Sequence, residues 1–193
     1  MLKSRLCIAF FAFAVGCAPA QKPLTDYVNP MLGTATLWDS VDLGFKPTKR
    51  TWGAEVFPGS ALPNAMVQVS PVTKFHSGAG YQYEDSVIYG FTHTNKGHWN
   101  LCHIPLLPVT GTPTPGDYCS PFSHERESAA PGYYQVFLDR YGVDAQLSST
   151  LRCAFHKYTY PAGAAPAVLA DLQRSNEHVR AWDIRKEGAA PAG

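Results

Sequence analysis

Short runs of alternating apolar and polar residues, separated by glycine and proline, recur along most of the chain. Two of them are "YYQVFLD" from Tyr133 and "VDAQLSST" from Val143, in which every second residue is apolar. Tyr134, Val136 and Leu138 therefore share one face of a predicted strand. The sequence "DRYG" between the two runs predicts a hairpin turn.

Five further runs have the same character. Together the seven runs recur at roughly ten-residue intervals, which predicts an all-β, antiparallel β-sandwich. Residues 173–184 are the nearest candidate for a helix, but they are charged and only weakly amphipathic. The five runs are "AMVQVS" from Ala65, "YQYEDSVIYGF" from Tyr81, "IPLLPVTG" from Ile104, "LRCAFHKYTYP" from Leu151 and "APAVLADLQ" from Ala165.

The N-terminal residues 1–20 have the pattern of a secretory signal peptide. Lys3 and Arg5 precede the apolar stretch "LCIAFFAFAV", which is too short to span a bilayer as a helix. Gly16-Cys17 resembles a bacterial lipobox, so we expect a lipid anchor at Cys17. The following "APA" offers an ordinary cleavage site, which leaves simple secretion as the alternative. Either way we expect export, to the periplasm, the outer membrane or the cell surface.

The length of the chain limits the number of domains, and its net charge limits the possible partners. A chain of 193 residues suits one sizeable domain, which we place at residues 24–187, followed by a flexible or truncated tail at 188–193. Removing the signal peptide removes two of 16 basic residues and none of 15 acidic residues, so 14 − 15 gives a net charge of −1. No basic run is interleaved with aromatic residues, so no nucleic-acid partner is expected. A membrane would be contacted only through the lipid anchor.

Three cysteines remain after the signal peptide: Cys102, Cys119 and Cys153. An odd number argues against a disulfide scaffold, although one disulfide and one free thiol are compatible with the count. The sequence leaves the pairing open.

The segment "HTNKGHWNLCH" at residues 93–103 concentrates three histidines and a cysteine around one tryptophan. Four nitrogen and sulfur ligands would suffice for a closed zinc site. On a strand, however, His98 and Cys102 would face one side and His103 the other, which splits the ligands. We therefore expect no metal site here.

A sugar-contacting loop is the preferred interpretation of the same segment. Trp99 offers a flat apolar face to a pyranose ring, and His98 and Asn100 can hydrogen-bond to sugar hydroxyls. The competing interpretation is a buried Trp99 packed in the sandwich. Trp52 and Glu55, in "TWGAEVFPG", are secondary candidates for substrate contact, and a structural role suits them equally well.

The sequence "FSHERE" offers His124, Glu125 and Glu127 as candidates for acid/base chemistry. Adjacent residues on an extended chain point apart, so interface hydrogen bonding or a turn before Pro131-Gly132 is favoured over catalysis. No catalytic residue is predicted.

Several segments, in order, resemble the N-terminal β-sandwich domain of glycoside hydrolase family 92 over about residues 26 to 187. They are "YVNPMLGT", "FPGSALPNAMVQVSP", "GYQYEDSVIYGFTHT", "LLPVTG", "FSHERESAAPGYYQVFL", "YGVDAQLSSTLRCAFHKYTYP" and "VLADL". The resemblance implies an exported, calcium-dependent, inverting bacterial α-mannosidase. In that family the catalytic carboxylates and most calcium ligands lie in a second, barrel domain.

The resemblance therefore implies that this chain contributes substrate-contact loops for a mannose-containing glycan and packs on a C-terminal catalytic domain that it lacks. For the chain alone we expect neither catalytic carboxylates nor calcium. The alternative is a stand-alone carbohydrate-binding surface lipoprotein without catalysis.

The chain departs from the family pattern in three places. "KFHSGAG" follows "QVSPVT" where many members have a tryptophan-rich stretch, and "HTNKGHWNLCHIP" replaces a glycine-rich continuation. These departures leave the sugar linkage open. The chain also ends in "AAPAG" where the sandwich is expected to continue, which suggests a fragment, a frameshifted gene or an incomplete gene model.

Overall fold

The computed structural model describes residues 21–36, 54–96 and 99–185. Within these ranges the regular structure is almost entirely β-strand, with 3₁₀-helical turns at Leu24–Tyr27 and His124–Arg126. No helix in this part of the chain is long and apolar enough to cross a membrane. Four predictions concern residues outside these ranges: the signal peptide with Cys17, Trp52, His98 and the tail.

Two antiparallel sheets form the body of the domain. The first consists of β1 (Ser60–Ala61), β2 (Gln68–Val72), β4 (Gly90–Thr92), β7 (Leu106–Thr110) and β13 (Pro166–Ala170), in the order β1-β2-β4-β7-β13. The second consists of β9 (Glu127–Ala130), β10 (Tyr133–Leu138), β11 (Val143–Ser149) and β12 (Ala154–Thr159), in the order β12-β11-β10-β9. Two short pairs join β3 (Val87–Ile88) to β8 (Ser120–Pro121) and β5 (Asn95–Lys96) to β6 (Trp99–Asn100).

The residues that were predicted to share one face of a strand form part of the buried core. Tyr134, Val136 and Leu138 are all 0% exposed, and Val136 pairs with the equally buried Ala145 of β11. Each fully buried side chain of this size stabilises the fold by about 1.5–3 kcal/mol. The "DRYG" turn at residues 139–142 joins β10 to β11, so the predicted hairpin is confirmed.

The first sheet contributes the opposing half of the core. Val69, Phe91 and Leu107 are 0% exposed and belong to the same apolar cluster as β10 and β11. The Ser60 and Ser149 hydroxyl oxygens lie 2.7 Å apart, which links β1 to β11. The all-β sandwich predicted from the sequence is therefore confirmed.

Local details differ from the alternating pattern. The run from Tyr81 forms two short strands, β3 and β4, and residues 173–184 form no helix. His156 lies on β12, whereas Arg152 lies outside the strand. The His156 ring contacts His93, which directly follows β4 of the first sheet. Cys102, Cys119 and Cys153 are all free thiols.

Candidate functional site

Three segments that are distant in sequence converge on one side of the first sheet: the 73–80 loop, the 99–104 segment and the 171–177 segment. The backbone N–H of Asn100 donates to the carbonyl oxygen of Gly78 at 2.7 Å. The carbonyl oxygen of Asn100 accepts from Nδ2 of Asn176 at 2.6 Å. Oδ1 of Asn176 in turn accepts from the backbone N–H of His76 at 2.6 Å. Two asparagines thus tie the three segments together.

The Asn100 side chain is 0% exposed, and its amide group forms hydrogen bonds within the protein. Its Oδ1 accepts from the backbone N–H of Cys102 at 2.8 Å and from Oγ1 of Thr92 at 3.2 Å. Its Nδ2 donates to the carbonyl oxygen of Ala79 at 3.3 Å. Buried amides need such partners, so this geometry supports a role in shaping the loops. The substrate contact that we predicted for Asn100 stays a prediction.

Trp99 lies on β6, where it pairs with Lys96. Successive residues of a strand point to opposite sides, so the indole points away from the buried Asn100. Its side chain is half-buried and does not belong to the central apolar cluster. This position is compatible with the predicted sugar contact.

Glu55 is brought to the same place by the fold. A Cβ atom added at Gly78 would lie 2.5 Å from the carboxyl carbon of Glu55, so the carboxyl group packs directly against that glycine. Gly78 is also the residue that binds the Asn100 N–H. The structure therefore brings Glu55 and Asn100 to one loop, although they are 45 residues apart in sequence, and Trp99 precedes Asn100 in the chain.

Backbone strain is concentrated in this region. Glu55, His76, Cys102 and Ile104 have φ angles of 51°, 57°, 50° and 48°, and they are four of the five non-glycine residues with positive φ in the described part of the chain. Each such residue costs about 1–3 kcal/mol, and such strain tends to cluster at functional sites. Ile104 is especially unfavourable because it is β-branched and precedes Pro105. This clustering independently marks the converging loops as the candidate site.

An open groove of about 490 Å³ lies beside the 73–80 loop and the 171–177 segment. The sequence alone does not reveal this groove, because the two segments that form it are about 100 residues apart. Both cationic and aromatic side chains line it. Its walls include Lys74, Phe75, His76, Tyr89, Gln173 and Arg174.

Asp171 fixes the segment that forms one wall of the groove. Its Oδ1 accepts from the backbone N–H groups of Gln173 and Arg174 at 2.8 and 3.0 Å. Its other oxygen accepts from the hydroxyl of Tyr118. Burial, reinforced by this carboxylate, raises the pKa of Tyr118, which keeps its hydroxyl a donor.

The "FSHERE" residues form a separate buried network. The Glu127 carboxylate is 0% exposed and accepts from the hydroxyls of Tyr81 at 3.0 Å and Tyr134 at 2.6 Å. Nδ1 of His124 lies 2.5 Å from the same carboxylate, and its Nε2 lies 2.7 Å from the carbonyl oxygen of Tyr83. Groups of this same domain thus occupy the Glu127 carboxylate, whereas the predicted interface hydrogen bonding stays a prediction.

A histidine pair joins the two sheets. Nε2 of His93 and Nε2 of His156 are 2.7 Å apart, and Nδ1 of His156 lies 2.6 Å from the hydroxyl of Tyr158. Burial, and then the neighbouring His93, lower the pKa of His156 to about 4. Burial also lowers the pKa of His93. Both rings therefore favour the neutral form in the folded protein.

Across residues 21–36, 54–96 and 99–185, no three histidine, cysteine, aspartate or glutamate side chains converge as they would around a metal ion.

Comparisons with known proteins give a consistent result. The model of the glycosyl hydrolase family 92 N-terminal domain matches residues 27–189. The family GH92 α-mannosidase BT3965 from Bacteroides thetaiotaomicron, solved in complex with mannoimidazole, is 30% identical with a TM-score of 0.65. The match covers 80% of this chain and 20% of that one.

A second solved structure is the family GH92 inverting mannosidase BT2199 from Bacteroides thetaiotaomicron VPI-5482. It is 28% identical with a TM-score of 0.61, over 78% of this chain and 20% of that one. This chain therefore spans about a fifth of the length of these solved mannosidases. The comparison with curated proteins gives no match.

Proposed function

The chain belongs to the glycosyl hydrolase family 92 N-terminal domain family, and on that basis we propose that it serves as the N-terminal β-sandwich of an enzyme that acts on mannose-containing glycans. The observation that carries the proposal is the family match over residues 27–189. The solved relatives that share this domain are mannosidases about five times its length.

In this proposal the converging loops contact the glycan. Trp99 supplies an apolar ring face, and Glu55, Trp52 and His98 supply further contacts. Asn100 holds these loops in place from inside the domain, because its amide is buried and hydrogen-bonded to Ala79 and Cys102. Flat aromatic faces combined with a few polar groups are the usual composition of a sugar site.

Catalysis is assigned to a C-terminal domain outside this chain. Inverting glycosidases use two carboxyl groups roughly 6.5–9.5 Å apart, one of which activates a water. The buried Glu127 is a poor candidate for either role, because two tyrosines and a histidine already occupy its oxygens. We assign calcium binding to the same catalytic domain.

Export, with a lipid anchor at Cys17, completes the proposal. It is supported by the basic and apolar pattern of residues 1–20. Radiolabelled palmitate incorporated by the expressed protein, and lost in Cys17→Ser, would support the anchor. A soluble, unlabelled protein would contradict it.

Titration of the purified chain with mannobiose tests the glycan contact. We expect saturable binding that Trp99→Ala weakens about tenfold or more, because a stacked aromatic ring is lost. Phe155→Ala is the matched control, since Phe155 is 59% exposed on the second sheet. Equal affinity in both variants would contradict a contact by Trp99.

A mixing experiment separates the enzyme domain from a stand-alone binding module. The partner is the part of BT3965 that this chain does not cover. Complex formation and hydrolysis of an α-mannoside only in the mixture would support the domain role. Mannobiose binding by this chain with no complex would favour the carbohydrate-binding module.

A further inference from the structure

Arg174 is held in place by aromatic rings at the wall of the groove. Its guanidinium carbon lies 5.3 Å from the ring centroids of Tyr89 and Tyr118 and 5.9 Å from that of Phe75. Such contacts orient the planar group, but they do not consume its N–H donors. The guanidinium is therefore positioned before any ligand arrives.

The protein makes little use of those donors. Nη2 of Arg174 lies 3.5 Å from the carbonyl oxygen of Gly116, and Nε lies 3.9 Å from Oδ2 of Asp171. Both distances are too long for strong hydrogen bonds. The Asp171 oxygens are engaged instead by the Tyr118 hydroxyl and by two backbone N–H groups. Arg174 thus keeps donor capacity for a partner in the groove.

A second cation lines the same groove. Lys74 is exposed, and its backbone N–H bonds to the carbonyl oxygen of Gly80 at 3.2 Å, which fixes where its side chain starts. None of the eight described residues that line the groove is acidic. Two positive side chains without a lining carboxylate attract anions, and a bidentate guanidinium suits an oxyanion.

The aromatic wall adds a surface for a ring. Phe75 and Tyr89 line the groove, with ring centroids 5.4 Å apart and ring planes at 60°. The groove volume of about 490 Å³ lies in the range typical of small-ligand sites. An aromatic wall beside two cations matches a saccharide unit that carries a negative substituent.

We propose that this groove binds an acidic sugar unit, with Arg174 and Lys74 on its carboxylate, sulfate or phosphate and with Phe75 and Tyr89 against its ring. The sugar part of this inference rests on the proposed function, whereas the oxyanion part rests on the groove alone. The glycan recognised by this domain would then carry an acidic unit close to the unit at Trp99.

Calorimetric titration of the purified chain tests the inference with defined probes: glucuronic acid, mannose 6-phosphate, methyl α-mannoside and inorganic phosphate. We expect at least one acidic sugar to bind about tenfold more tightly than methyl α-mannoside, because a charge-assisted hydrogen bond is gained. That advantage should shrink as salt screens the charges. The two acidic sugars distinguish a carboxylate from a phosphate ligand.

Two variants locate the site. Lys74→Gln should weaken acidic-sugar binding about threefold and Arg174→Gln about tenfold, with unchanged binding of methyl α-mannoside. Lys157→Gln is the matched control, because Lys157 is exposed on β12 of the other sheet. Lys74 makes no packing contribution to the core, so its variant remains informative if Arg174→Gln unfolds.

Each remaining outcome has a definite meaning. Equal affinity for neutral and acidic sugars, or equal effects of Lys74→Gln and Lys157→Gln, would overturn the inference. Inorganic phosphate binding as tightly as mannose 6-phosphate would overturn its sugar part. If the acidic sugars do not bind preferentially but mannobiose binding still depends on Trp99, the acidic-sugar inference is wrong and the proposed function stands. If neither kind of binding is found, both are wrong.

Discussion

At the scale of single residues, Asn100 illustrates how burial decides a role. Its residue type and its place beside Trp99 predicted a hydrogen bond to a sugar. In the structure its side chain has three protein partners at 2.8 to 3.3 Å and no exposed surface, while the sugar contact itself stays a prediction. The sequence could not reveal this burial, because two of the partners, Ala79 and Thr92, lie 21 and 8 residues away along the chain. The same residue type suits both roles, and only its surroundings distinguish them.

Gly80 and Gly111 offer a matched test of this packing. Both have positive φ, at 75° and 71°, but a Cβ atom at Gly80 would lie 2.6 Å from Nδ2 of Asn100, whereas nothing lies within 4 Å at Gly111. Gly111→Ala should cost about 1 kcal/mol for the backbone alone. Gly80→Ala should cost at least about 1–2 kcal/mol more, because Asn100 must move. Urea denaturation measures both, and equal losses would contradict tight packing at Asn100.

The histidine pair predicts a pH dependence of stability. The pKa of His156 falls from 6.5 to about 4 on folding, so between these values the unfolded chain binds more protons. The stabilisation is therefore fully present above pH 6.5 and is lost as the pH falls from 6.5 towards 4. His93 and the Tyr158 hydroxyl are the polar groups that contact the His156 ring.

Denaturation at a series of pH values checks this expectation. His156→Gln should flatten the loss of stability between pH 6.5 and 4, because the buried titrating ring is removed. His178→Gln is the control, since His178 is exposed. An unchanged pH profile in His156→Gln would show that other groups dominate the acid response.

At the scale of elements, the alternation of apolar and polar residues predicted the buried residues correctly where a strand has one buried face. The runs from Tyr133 and Val143 became β10 and β11 with the predicted residues inside. The pattern was less informative in the first sheet, where residues 69–72 of β2 are all buried and do not alternate. The two-residue strands β5 and β6 are too short for any period to be read, and only their pairing with each other defines them.

The edge strand β13 gives a prediction at this scale. It ends the order of the first sheet, and Val168 is 52% exposed in a strand without charged residues. Exposed apolar edges favour pairing between molecules, and an added lysine opposes it. Val168→Lys should therefore reduce self-association in light scattering while changing stability by less than about 1 kcal/mol.

Val136→Lys is the contrasting variant for this experiment. Val136 is 0% exposed in β10, so a lysine there would bury an unpaired charge and should prevent stable folding. A Val168→Lys protein that unfolds as readily would show that β13 is covered in solution.

At the scale of the whole molecule, the packed sheets support a group of loops. Two sheets close an apolar core, and three segments separated by up to about 100 residues meet beside it. Three strained residues in those segments, His76, Cys102 and Ile104, are held by the packed body around them, and the strained Glu55 packs against Gly78. Loops positioned by a packed scaffold commonly carry binding residues.

The sequence by itself determined the fold class and the family. The alternation of apolar and polar residues is a local property, and the sequence blocks of the family are recognised by their order along the chain. The fold class and the family can therefore both be read without coordinates. The tertiary structure alone decided that Asn100 is buried, that His93 faces His156, and that Lys74 and Arg174 share a groove. These facts depend on contacts between residues far apart along the chain, which no local pattern specifies.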